Sequence, residues 1–333
     1  MSGKQIIAIA LIIALLVLLA LLPMVIKAEY SINLAVLVLL YLGLAASWNI
    51  LGGYTGQTSL GHAAFFGLGS LTTRLLWLNA GWPFFPSLLA GCGAAVALAL
   101  LIGWPAFKLR GVYFAIGTLA LAQVGNATVA NLWPAISSLP AEYLATYQLA
   151  PRYYLFLVVA VLTVATAYFL VRSRLGLGMM AVREEEEAAE SLGISAFRHK
   201  LLALVVSAFF AGLTGGAFAF HFTAYYPQFP FAPTWTFDAM MMAYIGGVGT
   251  IVGPIIGALF FVVTRELLVL TLQGVQFVVL GIEVSLEDLH LTVFGLLFIL
   301  VVLFLPGGFV EAWGKIRPVF ERRTKVKEVS LAS

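Results

Sequence analysis

Ile6 to Ile26 reads IIAIALIIALLVLLALLPMVI, and Ile32 to Leu51 follows as INLAVLVLLYLGLAASWNIL. Neither stretch carries a charge. A helix rises about 1.5 Å per residue, so about 20 such residues cross the ~30 Å hydrocarbon core of a bilayer. Similar apolar runs recur at 59–78, 86–107, 112–133, 152–171, 201–221, 238–262, 267–282 and 290–306. The chain has 333 residues, 62% hydrophobic and 10% charged. Soluble domains carry about 25% charged residues, and a chain this apolar could not cover its surface in water. Barrel strands would alternate polar and apolar over about ten residues, which these runs do not. The reading is an all-α polytopic membrane protein of about ten helices, with eight to ten as the range. Two glycine-rich runs, 59–78 and 238–262, are candidates for broken or re-entrant helices. Gln273 and Gln276 make 267–282 marginal. The first run exceeds a usual signal core, and no clear cleavage site follows it, so it reads as a retained helix.

Loop charge orients the chain, because short cytoplasmic loops concentrate Lys and Arg. With the N-terminus inside and the spans alternating, Lys4, Lys108, Arg110, Arg172, Arg174, Arg183, Arg198, Lys200 and Arg265 face the cytoplasm. So do Lys315, Arg317, Arg322, Arg323, Lys325 and Lys327, which brings 15 of the 18 basic residues inside. Both termini are then cytoplasmic. Residues 1–314 form a single membrane domain with a long inner loop at 172–200. Residues 315–333 form a basic tail suited to anionic lipid. Arg74, within a span, is expected to snorkel outward. Asp238 is placed near the interface, and Trp77, Trp82, Trp133, Tyr225, Tyr226 and Trp235 are read as interfacial belt residues.

The inner loop is the most polar stretch before the tail. Glu184 to Leu192 is built of helix formers apart from Ser191, and Gly193 supplies the left-handed residue that stops a helix. Ile194 can fold back on the last turn. Arg183 and Glu187 stand four apart and can pair. The prediction is a short amphipathic helix beneath the membrane, shaped to dock in a groove of a cytoplasmic partner.

Gly52 to Gly69 holds six glycines, with Gln57, Thr58, Ser59 and His62 among them. Small residues let membrane helices approach closely. A broken helix would instead expose backbone groups to a translocation path, and both readings stand. On the second, Gln57, Ser59 and His62 are candidate path residues. Gly246, Gly247, Gly249 and Thr250 follow the same logic, with Pro254 as helix breaker. Spans two to five and seven to ten would carry opposite topologies, the arrangement an inverted repeat would give.

Enzyme chemistry finds little support. Cys92 is the one cysteine, the four histidines are scattered, and neither paired carboxylates nor a metal-ligand spacing occurs. No Gly-x-x-x-x-Gly-Lys-[Ser/Thr] phosphate loop is present, so the chain has no usual means to hold ATP. No cofactor or metal is expected.

Glu187-Ala188-Ala189-Glu190-Ser191-Leu192-Gly193 resembles the Glu-Ala-Ala-x-x-x-Gly loop of ATP-binding-cassette importer permeases. Gly53 to Gly67, Arg110 to Leu121, Phe197 to Gly216 and Gly246 to Ala258 resemble, in order, segments of the branched-chain amino acid permease family of the LivM type. The resemblance covers residues 50 to 310. It implies a non-catalytic pore subunit of a multi-pass inner-membrane importer, bacterial or archaeal. The implied partners are two ATPase subunits, a second homologous permease and an external solute-binding protein, with no nucleic acid. It also implies that Glu187, Ala188, Ala189 and Gly193 couple the chain to an ATPase. One departure stands out: the family's Thr-Gly-Gly segment is replaced by Trp133-Pro134-Ala135-Ile136-Ser137-Ser138-Leu139-Pro140, which leaves the solute open. Permeases for urea or short-chain amides are the second reading. A secondary transporter or channel is a third, and would need ionisable relay residues within its spans.

Overall fold

A computed structural model of the chain describes residues 3–272, 276–279, 282–285, 295–296, 299–300, 303–305 and 307–312. Within them the chain is almost wholly helical. The helices are α1 (Gly3–Val25), α2 (Glu29–Thr55), α3 (His62–Arg74), α4 (Phe84–Ala106), α5 (Val112–Leu132), α6 (Ala141–Ala145), α7 (Leu149–Arg172), α8 (Arg174–Glu184), α9 (Glu186–Ser191), α10 (Ala196–His221), α11 (Thr234–Gly246) and α12 (Gly253–Leu272). A 3-10 turn at Phe229–Phe231 and two short antiparallel strand pairs lie between them or after them. One joins β1 (Ser137–Ser138) to β2 (Ala224–Tyr225), and the other joins β3 (Gln276–Val279) to β4 (Ile282–Ser285).

Among the described residues six helices, α2, α4, α5, α7, α10 and α12, are long and apolar enough to cross a membrane. With the apolar Ile13–Val25 part of α1, they make a multi-pass membrane protein. The expected run at 59–78 is α3 followed by a π-helical turn, Leu75–Asn79. The expected span at 238–262 is broken at 247–252 between α11 and α12. The 267–282 run is not a separate helix: α12 takes its first residues, and β3 follows. Most of 290–306, and the tail at 315–333, lie outside the described residues.

The centre is an antiparallel crossing of α2 and α10. Ser207 Oγ donates to Ser47 O at 2.8 Å, and Thr214 reaches Gly43, so numbers rise in one helix as they fall in the other. Each crossing helix is followed in sequence by a 13-residue half-helix that runs beside the opposite member. Thus α3 runs along α10, where Gly69 meets Gly212 and Arg74 meets Ala219. In the same way α11 runs along α2, pairing Trp235 with Tyr41 and Tyr244 with Trp48. Each half-helix then turns back into a full-length one: α4 packs on α3 through Gly91, and α12 packs on α11 through Gly257. Any side chain on Gly69, Gly215 or Gly257 would strike backbone of the neighbouring helix. Glycine is what admits that approach. Helix α7 packs against α2 and α10 and carries Tyr153 and Phe156 into the core.

Several expected surface residues are inside. Trp235 packs among Tyr41, Phe66 and Phe218. Tyr225 is buried with its hydroxyl on Ser70, and Trp77 is buried against Phe84 and Phe220. Trp82, Trp133 and Tyr226 are exposed. Asp238 faces the bundle, 3.5 Å from the Tyr41 hydroxyl, which is 3.4 Å from Arg265. Arg74 does not snorkel. It is 1% exposed and donates to Ala219 O (2.8 Å), Phe222 O (3.2 Å), Thr223 O (3.4 Å), Ser137 Oγ (3.2 Å) and Ser137 O. A guanidinium has five N–H donors, and five acceptors surround this one. They tie α3, the C-terminal end of α10 and the 134–140 loop together.

Arg265 also moves. The turn into α12 lies at 247–252 rather than at 263–266, so Arg265 is about 18 Å along α12 from its start. Its neighbour Glu266 accepts from Tyr30, at the beginning of α2. Arg265 therefore lies toward the end of the bundle opposite Arg183.

Candidate functional site

The loop between α7 and α10 is a mounted helix. Ser173 caps α8, its hydroxyl accepting from Gly176 N at 3.2 Å. Glu185 then adopts extended backbone, φ −156° and ψ 109°, so the predicted 184–192 helix is shortened to α9. The kink brings Val182 and Ala189 together against Ala196, with Ile194 beside them. Two bonds close the C-terminus of α9: Gly193 N to Glu190 O at 2.9 Å and Ile194 N to Ala189 O at 3.0 Å. These are the paired bonds of a Schellman ending, with Gly193 at φ +82° as its left-handed residue and Ile194 folded back as expected.

The mount is fixed by a residue that sequence reasoning missed. Lys200 Nζ on α10 lies 2.6 Å from Glu186 Oε2 on α9, and Lys200 is buried. The spacing of 14 residues gives no local signal. Ala189 faces inward, whereas Glu187, Ala188, Glu190, Ser191 and Leu192 are exposed. Leu192, 81% exposed, is the most accessible large apolar side chain described. The expected Arg183–Glu187 pair does not form, because the kink at Glu185 turns the two apart. Glu187 lies 4.0 Å from Arg110, and Arg183 Nη1 donates to Gly53 O at 2.8 Å.

The two glycine-rich breaks lie beside this mount or above it. In the first, Ser59 and His62 are fully buried, while Gln57 is half-buried and reaches only Thr55 O at 3.5 Å. Trp48 Nε1 donates to Ser59 O at 2.8 Å, and His62 Nε2 lies 2.8 Å from Ser47 Oγ. Ser47 itself donates to Leu44 O, which assigns the ring proton to Nε2. The first turn of α3 then receives help from two other helices. Ala63 N donates to Thr236 Oγ1 at 2.8 Å, and Leu60 N donates to Thr118 Oγ1 at 3.0 Å. The N-termini of α3 and α11 thus meet inside the bundle, about 12 Å along α2 from its end at Thr55.

The second break is stitched to α2. Gly247 and Gly249 have φ of 129° and 78°, which only glycine holds without strain. Thr250 Oγ1 donates to Gly247 O at 2.7 Å and accepts from Gly253 N at 2.9 Å. Gly246 lies against Gly253, and Pro254 falls in the first turn of α12, where its missing N–H costs nothing. Asn49 closes the stitch: Nδ2 donates to Thr250 O at 2.9 Å, and Oδ1 accepts from Gly249 N at 2.8 Å. The sequence signal for Asn49 is one amide in an apolar run. Ser47 and Asn49 lie about 200° apart around α2. The two clusters therefore occupy opposite faces of one helix at nearly one depth.

Helix α5 differs from the rest in its surface. It packs lightly on its neighbours, and its exposed face mixes Val112, Ile116, Val124 and Leu132 with Gly117, Ala120, Gln123, Ala127, Thr128 and Asn131. The described exposed face of α1 is aliphatic instead, with Leu11, Ile13, Leu15, Val17, Leu18 and Leu21. Polar side chains at membrane depth face protein or water rather than lipid. Among the described residues, no group of His, Cys, Asp and Glu could hold a metal ion.

A family model described as the permease component of the branched-chain amino acid transport system matches residues 30–302. The chain belongs to this family. The match spans the paired half-helices, the mounted α9 and both glycine-rich breaks of this permease. A high-affinity branched-chain amino acid transport system permease protein, LivM, of Escherichia coli K12 is 32% identical, over 77% of this chain and 67% of that protein. The protein of the same description in Salmonella typhimurium is 31% identical, over 72% of this chain and 63% of its own length. A probable branched-chain amino acid permease, LivM, of Methanocaldococcus jannaschii is 24% identical over 90% of this chain and 99% of its own. The chain thus spans about two thirds of the length of the two enterobacterial relatives. No solved structure matches it.

Proposed function

We propose that this permease is a membrane subunit of an ATP-driven importer that brings branched-chain or related hydrophobic amino acids into the cytoplasm. Two separate ATPase subunits power it, a second homologous permease completes the path, and an external binding protein delivers solute. The carrying observation is α9: a short helix locked at both ends, presenting Glu187, Ala188, Glu190 and Leu192 outward from a stiff mount. A lone pore has no use for such a projection, whereas a groove on a force-producing partner does. Glu187, Ala188 and Leu192 make the contact, Ala189 and Gly193 set the shape, and Glu186 with Lys200 holds it.

The end bearing Arg183 is cytoplasmic, as the basic loops require. The membrane is the cytoplasmic one. The mixed face of α5 meets the second permease across the solute path, which accounts for Gln123 exposed midway along the span. Closure of the ATPases on ATP moves α9, and the attached helices rock to open the path to each side in turn. Ser59 with His62 and Gly246 to Thr250 are the joints at which the half-helices meet the full-length ones.

The test is the intact complex, purified and reconstituted with its binding protein. Leucine, isoleucine or valine should stimulate ATP hydrolysis and drive uptake. Stimulation by urea or short amides alone would move the substrate class, and uptake by the isolated chain without ATPase subunits would contradict the reading.

A further inference from the structure

The geometry points to Arg183 as the residue that carries displacement of α9 to both halves of the core, a positioning role that rests on the importer reading. Arg183 is the next-to-last residue of α8, just ahead of the Glu185 kink. Its side chain lies between two glycine-bounded breaks that are otherwise far apart in sequence. Nη1 donates to Gly53 O at 2.8 Å, at the end of α2. A Cβ on Gly56, in left-handed backbone after α2, would sit 3.2 Å from Arg183 Cγ. On the other side the guanidinium lies against Gly249, where any side chain would collide with Nη1. Gly249 and Gly53 are themselves in contact, and Asn49 binds Gly249 N and Thr250 O.

One arginine thus touches three places: its guanidinium meets the C-terminus of α2 and the joint between α11 and α12, and its stem meets Gly56, which leads toward α3. The first and last of these, the α2 terminus and Gly56, belong to the α2–α3–α4 unit, and the joint belongs to the oppositely directed α10–α11–α12 unit. A push on α9 reaches Arg183 through two backbone links, Glu185 and Glu184, rather than through flexible loop. The delocalised, planar head suits this place: it keeps a bond to a carbonyl while packing on glycine backbone, which an ammonium on a free stem does less well. Arg183 stays exposed with one strong bond, so the contact can be remade in a second arrangement without stranding a buried charge.

The experiment uses the reconstituted complex with ATPase subunits, companion permease and binding protein. The ratio of solute imported to ATP hydrolysed is measured for wild type, Arg183→Ala, Arg183→Lys, Asn49→Ala and the Arg183→Ala/Asn49→Ala pair. Arg183→Ala should assemble and hydrolyse ATP, while the ratio falls about tenfold, within the usual range of coupling energies. Arg183→Lys should restore part of it, and the double variant should lose little more than the worse single one. A ratio equal to wild type in Arg183→Ala, or losses that simply multiply in the pair, would overturn this role while leaving the importer reading intact. Absence of ATP-driven uptake by the wild-type complex would remove both.

Discussion

Two arginines hold opposite ends of this permease, and they hold them differently. Arg74 is enclosed, its five donors matched by five acceptors from Ser137, Ala219, Phe222 and Thr223. Trp77 and Tyr225 cover its faces at 5.8 and 5.2 Å. Arg183 is exposed and, among the described residues, makes one bond, to Gly53 O. Desolvating a guanidinium is costly, and full satisfaction is what offsets the cost. Such a cage has one arrangement. A solvated guanidinium with one backbone bond strands no buried charge when that bond is remade. The difference separates a fixed end, where the 134–140 and 222–225 loops are bound to α3 and α10, from a yielding end, where α9 meets the joints.

That contrast can be broken by substitutions that trade stability against transport. Arg74→Ala strands several buried carbonyls and should cost about 3 kcal/mol or more. Thermal unfolding in detergent would report it as a lower transition, with poor yield and uptake lost only in proportion to folded protein. Lys200→Ala frees a half-buried Glu186 and loosens the mount, at about 1–2 kcal/mol. Here uptake should fall further than folded protein does, and equal falls would place the mount with the fixed end. Gly193→Pro cannot hold φ +82° and removes the N–H that bonds Glu190 O, but the residue lies at the surface. Membrane insertion should survive while uptake vanishes; normal uptake would show that the shape of α9 is not used. Leu192→Ser, at the most exposed position, should change stability by under about 0.5 kcal/mol. Its effect should appear only as weaker retention of ATPase subunits during copurification.

The same contrast explains what the sequence could disclose. Spans α2, α4, α5, α7 and α10 are legible because about 20 apolar residues have few other uses, whereas six candidate spans rather than about ten stand among the described residues. The end of α9 was legible because Gly193 followed by Ile194 encodes a local backbone conformation. The glycine-rich breaks could be seen as breaks but not located. The second turn is made of Gly247, Val248, Gly249, Thr250, Ile251 and Val252, and nothing in its hydropathy differs from the helices on either side. That is why loop charge alone puts Arg265 at the same end as Arg183. Arg74 was read as a snorkelling side chain because its acceptors are mostly backbone carbonyls 63 to 149 positions away, which carry no residue signature. The Arg183–Glu187 pair failed for a related reason. Four-residue spacing predicts contact only along an unbroken helix, and Glu185 interrupts it to satisfy Val182, Ala189 and Ala196. Local rules found what is locally encoded, and the joints between distant segments required the fold.

The most direct test of the central claim, that α9 receives force from an ATPase partner, is site-specific cross-linking at its tip. Cys92 is buried within α4, so Leu192→Cys adds one accessible thiol. In the intact complex this thiol should cross-link to an ATPase subunit, with a yield that changes between the ATP-bound and nucleotide-free states. A thiol at position 192 that reacts only with reagents added outside sealed cells, or that never links to an ATPase subunit in an active complex, would contradict the account.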